Sequence, residues 1–320
     1  MNSSLGADLN AALWGDYSTG TTFPTARPLL AHYTSVGNLE KIVNNEELWF
    51  SNPLYMNDLE ELKFGMNTGA REFRSHAAII EICGDAAKHA KLIKEFDRLF
   101  QDFDSNHAFD TYVACFSEHA PEDDDGRLSM WRGYGSSGSG VAIVFDSAKI
   151  RALESSPLIV GKVRYRTQLQ GIEWIDEKIV ALAEVLKRHV LTDEALLLAA
   201  HSWIERLKEF ALFTKHTGFD EEQEWRIVYS SERDKSRTFA PMLGYAITTK
   251  GVEPKLKVKI GDLPSIVGPQ ASLNDLVDRI VLGPTISTIL AANSVRRMLE
   301  LSKTPALATR VRESSIPFRP

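Results

Sequence analysis

The chain is poor in what several protein classes require. Only two cysteines, Cys83 and Cys115, occur in 320 residues. That is too few for a disulfide framework or a four-thiolate metal site, and both read as buried free thiols. No run of about 18 apolar residues is present, so no membrane-spanning helix is expected. The opening "MNSSLGADLNAALWGDYSTG" has neither the basic nor the apolar region of a secretory leader, and the expected address is the cytoplasm. A cationic excess is also missing. The net charge is -6, with Lys and Arg dispersed. This argues against holding nucleic acid through a broad basic surface and leaves only a local groove.

Familiar catalytic signatures are equally scarce. No G-x-S-x-G or H-E-x-x-H occurs, and the eight histidines are scattered, so neither a serine hydrolase nor a zinc site is expected. The acidic run "EHAPEDDDGR" lacks the Gly and Glu that a calcium loop needs and reads as a solvated loop. "GYGSSG" at residues 133–138 matches G-x-G-x-x-G, but the following "VAIVF" is a strand where a dinucleotide fold needs a helix. It reads as a flexible Gly/Ser turn.

What is present is a mixture of short strands and helices without internal repeats, which predicts an α+β fold: one mixed domain over 30–320 with a central sheet. Residues 1–29, rich in Ser, Thr, Gly and Pro, read as a loosely ordered lead-in. "LLAHYT" is an expected strand. Ser35 then caps a helix with Val36, Leu39, Ile42 and Val43 at helical spacing. Helical insertions are expected near 77–103 and 172–213, and "ELWFSNP", "TYVACFS", "GVAIVFD", "LIVGKVRY", "EEQEWRIVYS", "LKVKIGDL", "DRIVLGPT" and "ATRVRESSIPF" read as strands.

Three features carry chemistry. His32 sits at a strand end, either satisfied by a backbone hydrogen bond or in contact with a ligand. "SMWRGYG" puts Trp131 and Tyr134 on a helical turn entering the glycine loop, as core packing or as a stacking platform. "EEQEWR" places Glu222 and Glu224 on one face at the start of a strand; two like charges side by side require a ligand or Arg226 to compensate them.

The order of HYTS, "LWFSNPLYMNDLEE", "ACFSE", "MWRGYG", "GVAIVFD", "EEQEWRI", "RIVLGPT" and "ESSIPF" resembles the bacterial domain-of-unknown-function family 2971 from His32 to the C-terminus. Leu59 stands where that family usually has Pro after Asn-Asp. More distantly, His-x-Thr, "NLEKIV" and "LWFS" are similar to the opening of ADP-ribosyltransferase toxins that modify DNA and of RNA 2'-phosphotransferases.

That second resemblance implies an ADP-ribosyltransferase-like core and an enzyme that consumes NAD as substrate, with no metal. It also implies a nucleic-acid or protein acceptor, while the resemblance to family 2971 implies a setting as a bacterial toxin or phage-defence effector. By it, His32, Tyr134 (or Ser117), Glu224 and Glu222 are the catalytic set, and Tyr33, Thr34, Ser51, Asn57, Asp58, Ser117, Trp131 and Arg226 contact the nucleotide. Two alternatives stay open: a metal-dependent nuclease or phosphotransferase using Glu222, Glu224 and Asp58, and a module that senses a nucleotide without turnover.

Overall fold

A computed structural model describes residues 2–17, 23, 26–56, 59–150, 156–248, 251–262 and 272–318. In chain order the strands are β1 (Leu29–Thr34), β2 (Glu47–Ser51), β3 (Thr111–His119), β4 (Val141–Asp146), β5 (Leu158–Lys162), β6 (Arg164–Arg166), β7 (Thr214–His216), β8 (Glu224–Ser230), β9 (Leu243–Thr248), β10 (Gly251–Lys259), β11 (Val277–Leu282) and β12 (Val311–Glu313). The α-helices are α1 (Asn2–Trp14), α2 (Val36–Asn45), α3 (Leu59–Ser75), α4 (Ala77–Cys83), α5 (Ala86–Asp102), α6 (Leu128–Gly133), α7 (Gln168–Leu186), α8 (Asp193–Phe213), α9 (Leu273–Leu276) and α10 (Ile289–Glu300). The fold is α+β with a mixed central sheet.

Where the sequence read as one domain with insertions, the chain divides into two compact units. The first is Met1–Thr22, Pro53–Thr111 and Val163–Phe219; the second is Phe23–Asn52, Tyr112–Lys162 and Asp220–Pro320. Both expected helical insertions fall in the first unit, where α1 packs on α7 and α8, and α3 and α5 pack on α8. The expected loose lead-in contains α1 instead. Leu5, Leu9 and Leu13 recur every fourth residue and are buried, so a single apolar stripe outweighs a composition rich in small polar residues. The expected long helix at 77–103 is interrupted at Gly84, which ends α4 in the left-handed region at φ 71°, and at Asp85, which caps α5 by accepting from Lys88 N.

The second unit carries a ten-stranded sheet ordered β12-β11-β4-β1-β3-β2-β10-β9, with β8 pairing β3 and β5. β4 is buried on both faces. Val141, Ile143 and Phe145 join the main core with Leu30, Phe116, Trp225 and Ile227, while Ala142 and Val144 join a smaller core with Ala31, Tyr33, Met130 and Trp131. Sandwiching between two cores explains why "VAIVF" reads as a continuous apolar run. "LIVGKVRY", expected as one strand, is two: β5 pairs antiparallel with β8, and β6 pairs parallel with β7 in a separate two-stranded sheet. Ser35 caps α2 as expected, accepting from Asn38 N at 3.1 Å.

One irregularity shapes the site. β1 pairs with β4 along its whole length, Leu29 opposite Asp146 through Thr34 opposite Val141. Its pairing with β3 stops at Ala31 opposite Ser117. β2 meets β3 at Ser51 opposite Val113, so β1 and β2 serve the two ends of the same strand.

Candidate functional site

Ser117, near the C-terminal end of β3, is 1% exposed, and its hydroxyl donates to the Glu222 carbonyl at 2.6 Å. One residue on, Glu118 N donates to Gln223 O. These two bonds fasten the chain just ahead of β8 to the end of β3. Glu222 closes a 3₁₀ turn, and Gln223 is left-handed at φ 43°. Strand alternation therefore does not relate Glu222 to Glu224. The expected shared face for this pair fails because the strand begins at Glu224, two residues too late to include Glu222.

Instead the Glu222 side chain meets Tyr134: the phenol donates to Glu222 Oε1 at 3.1 Å across 88 residues of sequence. Tyr134 caps the C-terminus of α6 and is 40% exposed, whereas Glu222 is 9% exposed. A half-open aromatic thus sits over a nearly buried carboxylate.

Glu224 and Arg226 do share a face of β8, as alternation requires. Arg226 Nε donates to Glu224 Oε1 at 2.8 Å and Nη2 to Oε2 at 3.2 Å, with both residues buried. Of the two readings of Arg226, the strand-face pairing is the one observed. A bidentate pair away from water is a strong interaction and expensive to break on one side.

Trp131 is fully buried, set edge-on to Tyr33 at 4.7 Å between ring centroids, and donates its indole N–H to Asp125 O. It fills the smaller core and offers no open face for stacking. Tyr33 is fixed from the same side, its phenol oxygen accepting from Arg127 N at 2.8 Å, and burial pushes its pKa up to about 12. Thr34 accepts from Asn38 Nδ2, and Ser51 from Lys255 Nζ. Asn57 and Asp58 lie outside the described residues.

His32 stands apart from this group. It lies on β1 opposite Ile143, on the face that Leu30 gives to the main core. Glu224 and Arg226 are on the opposite face of β8 from Trp225 and Ile227, which enter that same core. The contacts of His32 are the Cys115 carbonyl, 3.0 Å from Nδ1, and the Phe116 ring, 5.8 Å between centroids. Because a carbonyl only accepts, Nδ1 carries the hydrogen. His32 occupies the place where β1 has left β3, and its ring supplies the donor that the departing backbone no longer provides. Enclosure of the ring disfavours the imidazolium and holds its pKa below the ordinary value, against the opposing hydrogen bond to Cys115.

Sequence reasoning missed Glu118. Its Oε2 accepts from Lys162 Nζ at 2.7 Å and from Trp225 Nε1 at 2.9 Å. Burial raises its pKa, but these donors outweigh burial and hold the carboxyl below its ordinary value. Nothing local in "FSEH" marks this role, because both donors come from later strands. The acidic loop is also anchored where it was expected to be solvated: Asp125 accepts from Ser315, and Arg279 reaches Asp124 and the Pro121 carbonyl.

The glycine loop is packed backbone against backbone. A Cβ on Gly140 would lie 2.3 Å from Thr34 O, and Gly283 N donates to Gly140 O. Two serines, Ser136 and Ser137, adopt positive φ at the turn. Among the described residues no group of three or more His, Cys, Asp or Glu is placed to hold a metal ion, and no helix is long and apolar enough to cross a membrane.

The family described as Protein of unknown function (DUF2971) matches residues 130–227, about a third of the chain, and to that family the segment is similar. The match takes in Trp131, Tyr134, Glu222, Glu224 and Arg226, and leaves His32 and Ser117 outside. No curated protein and no solved structure matches the chain.

Proposed function

We propose that the second unit is an ADP-ribosyltransferase-like catalytic body that cleaves NAD and transfers ADP-ribose to a nucleic-acid or protein acceptor. The observation that carries this reading is the meeting of Tyr134 with Glu222 at 3.1 Å, two residues ahead in sequence of the buried Glu224–Arg226 pair. An exposed aromatic, an adjacent carboxylate and a buried guanidinium–carboxylate pair, drawn from elements distant in sequence, are the group types this chemistry uses.

Breaking the bond between nicotinamide and ribose develops positive charge on the sugar. A carboxylate beside the reacting carbon stabilises that charge, as in glycoside hydrolysis. In this reading Glu222 or Glu224 supplies the carboxylate. Tyr134 offers its ring for stacking and its hydroxyl to fix Glu222. Ser117 sets the height of Glu222 by holding its carbonyl. His32 is a positioning residue that keeps β1 and β3 in register at their point of separation, with Thr34 tied to the first turn of α2. Bacterial toxin or phage-defence action is the setting that the resemblance to family 2971 favours.

Incubation of the protein with labelled NAD and a cell lysate tests the proposal. It predicts nicotinamide release and a labelled acceptor, both reduced by Tyr134→Phe and Glu222→Gln. Release that is absent, or unchanged in both variants, contradicts it.

A further inference from the structure

The first unit contains a cavity of about 250 Å³ wholly lined by its own residues. Phe64 of α3 and Phe210 of α8 form apolar walls, and Arg166, Thr167, Lys215 and His216 form the polar end. Phe210 is stacked on Trp174 at 4.3 Å and 9° between ring planes, which fixes that wall.

The polar end is cationic and partly open, with Thr167 and His216 exposed and Arg166 half-buried. Lys215 is 2% exposed. Arg166 Nε is shielded from water and has no hydrogen-bond partner, an arrangement that native proteins keep rare. β6 and β7 run parallel with Arg166 opposite His216 and Tyr165 opposite Lys215, and Arg166, Lys215 and His216 all line the cavity. The capped first turn of the 19-residue α7 begins at the same wall and adds its dipole. Burial, and then the neighbouring Arg164, lower the pKa of Arg166 against the opposing pull of Asp16 and Glu177; an anion at its unpartnered Nε favours the charged form.

We propose that this cavity binds a small planar aromatic molecule bearing one anionic group, with the ring between Phe64 and Phe210 and the anion on Arg166 and Lys215. The volume selects a single ring with a carboxylate or phosphate. It is too small for a dinucleotide, so this site is separate from the NAD reading and does not depend on it. Gly171 keeps the cavity open: a Cβ there would lie 3.7 Å from both Phe210 and Phe64, so a larger side chain enters the space without striking backbone.

The test is calorimetric titration and thermal denaturation of the full chain with benzoate and phenyl phosphate, and with benzamide as the neutral control. Gly171→Leu fills the cavity and Arg166→Gln removes the unpaired donor; unchanged far-UV circular dichroism verifies that both fold. The proposal predicts that at least one of the two anions binds and raises Tm, that benzamide binds at least about tenfold more weakly, and that each variant weakens binding about tenfold or more. Tighter binding of benzoate than of phenyl phosphate assigns a carboxylate ligand, and the reverse order a phosphate. Binding of neither anion at millimolar concentration, equal binding of benzamide, or unchanged affinity in both folded variants overturns it.

Discussion

His32 Nδ1 lies 3.0 Å from the carbonyl oxygen of Cys115, at the point where β1 and β3 cease to pair. A side chain thereby replaces a backbone donor in the sheet, and this relationship has a pH signature. The folded state holds His32 below its ordinary value of 6.5. As pH falls through that value the unfolded chain takes up the proton first, so stability is present at higher pH and is lost on acidification. His119, lowered by burial in the same direction, adds to the slope. His32→Asn, which keeps a donor and removes the titration, is expected to flatten the dependence of unfolding free energy on pH between about pH 7.5 and pH 5.5. Denaturant unfolding across that range measures it; parallel curves for variant and wild type contradict the assignment.

The buried pair on β8 predicts a large asymmetric loss. Arg226→Met leaves Glu224 in the interior without its bidentate partner and is expected to cost about 3 to 5 kcal/mol. Replacing both residues by apolar ones of similar size is expected to recover much of that loss. Urea midpoints at constant m-value distinguish the two outcomes.

The glycine loop predicts position-specific intolerance. Gly140→Ala places a Cβ 2.3 Å from Thr34 O, where only backbone can yield, and is expected to cost about 2 kcal/mol or more. Gly133→Ala meets nothing within 4 Å and is expected to change stability by less than about 0.5 kcal/mol. Equal Tm values for the two variants contradict the packed-loop description.

These contrasts show which parts of the molecule could be read from the sequence. The cap at Ser35, the buried run "VAIVF" and the alternation of Glu224 with Arg226 are local, and periodicity and side-chain chemistry were enough to find them. The E-x-E reading failed at Gln223, because a left-handed residue that is not glycine leaves no mark in the letters. Trp131 read as core, with a stacking platform as the alternative; the T-shaped contact with Tyr33, far earlier in the chain, decides for core. Glu118 was missed because its donors, Lys162 and Trp225, arrive from strands far along the chain. The division into two units was hidden as well. Each is assembled from three separate stretches of sequence, and no composition shift marks the crossings at Phe23, Pro53, Tyr112, Val163 and Asp220.

Tyr134 separates a structural role from a functional one. Its phenol is half-exposed and makes a hydrogen bond to Glu222, so Tyr134→Phe is expected to change stability by no more than about 1.5 kcal/mol. If the hydroxyl fixes the reacting carboxylate, the same variant loses about tenfold or more in kcat with little change in KM for NAD. A proportionate rise in KM with unchanged kcat assigns Tyr134 to binding alone.

The most direct test of the central claim is nicotinamide release from NAD by the wild-type chain beside Glu222→Gln and Glu224→Gln, each shown to be folded by its Tm. The account predicts release by wild type and a fall of about a hundredfold or more in at least one of the two variants. Release by neither wild type nor variant, or equal release by all three folded proteins, contradicts it.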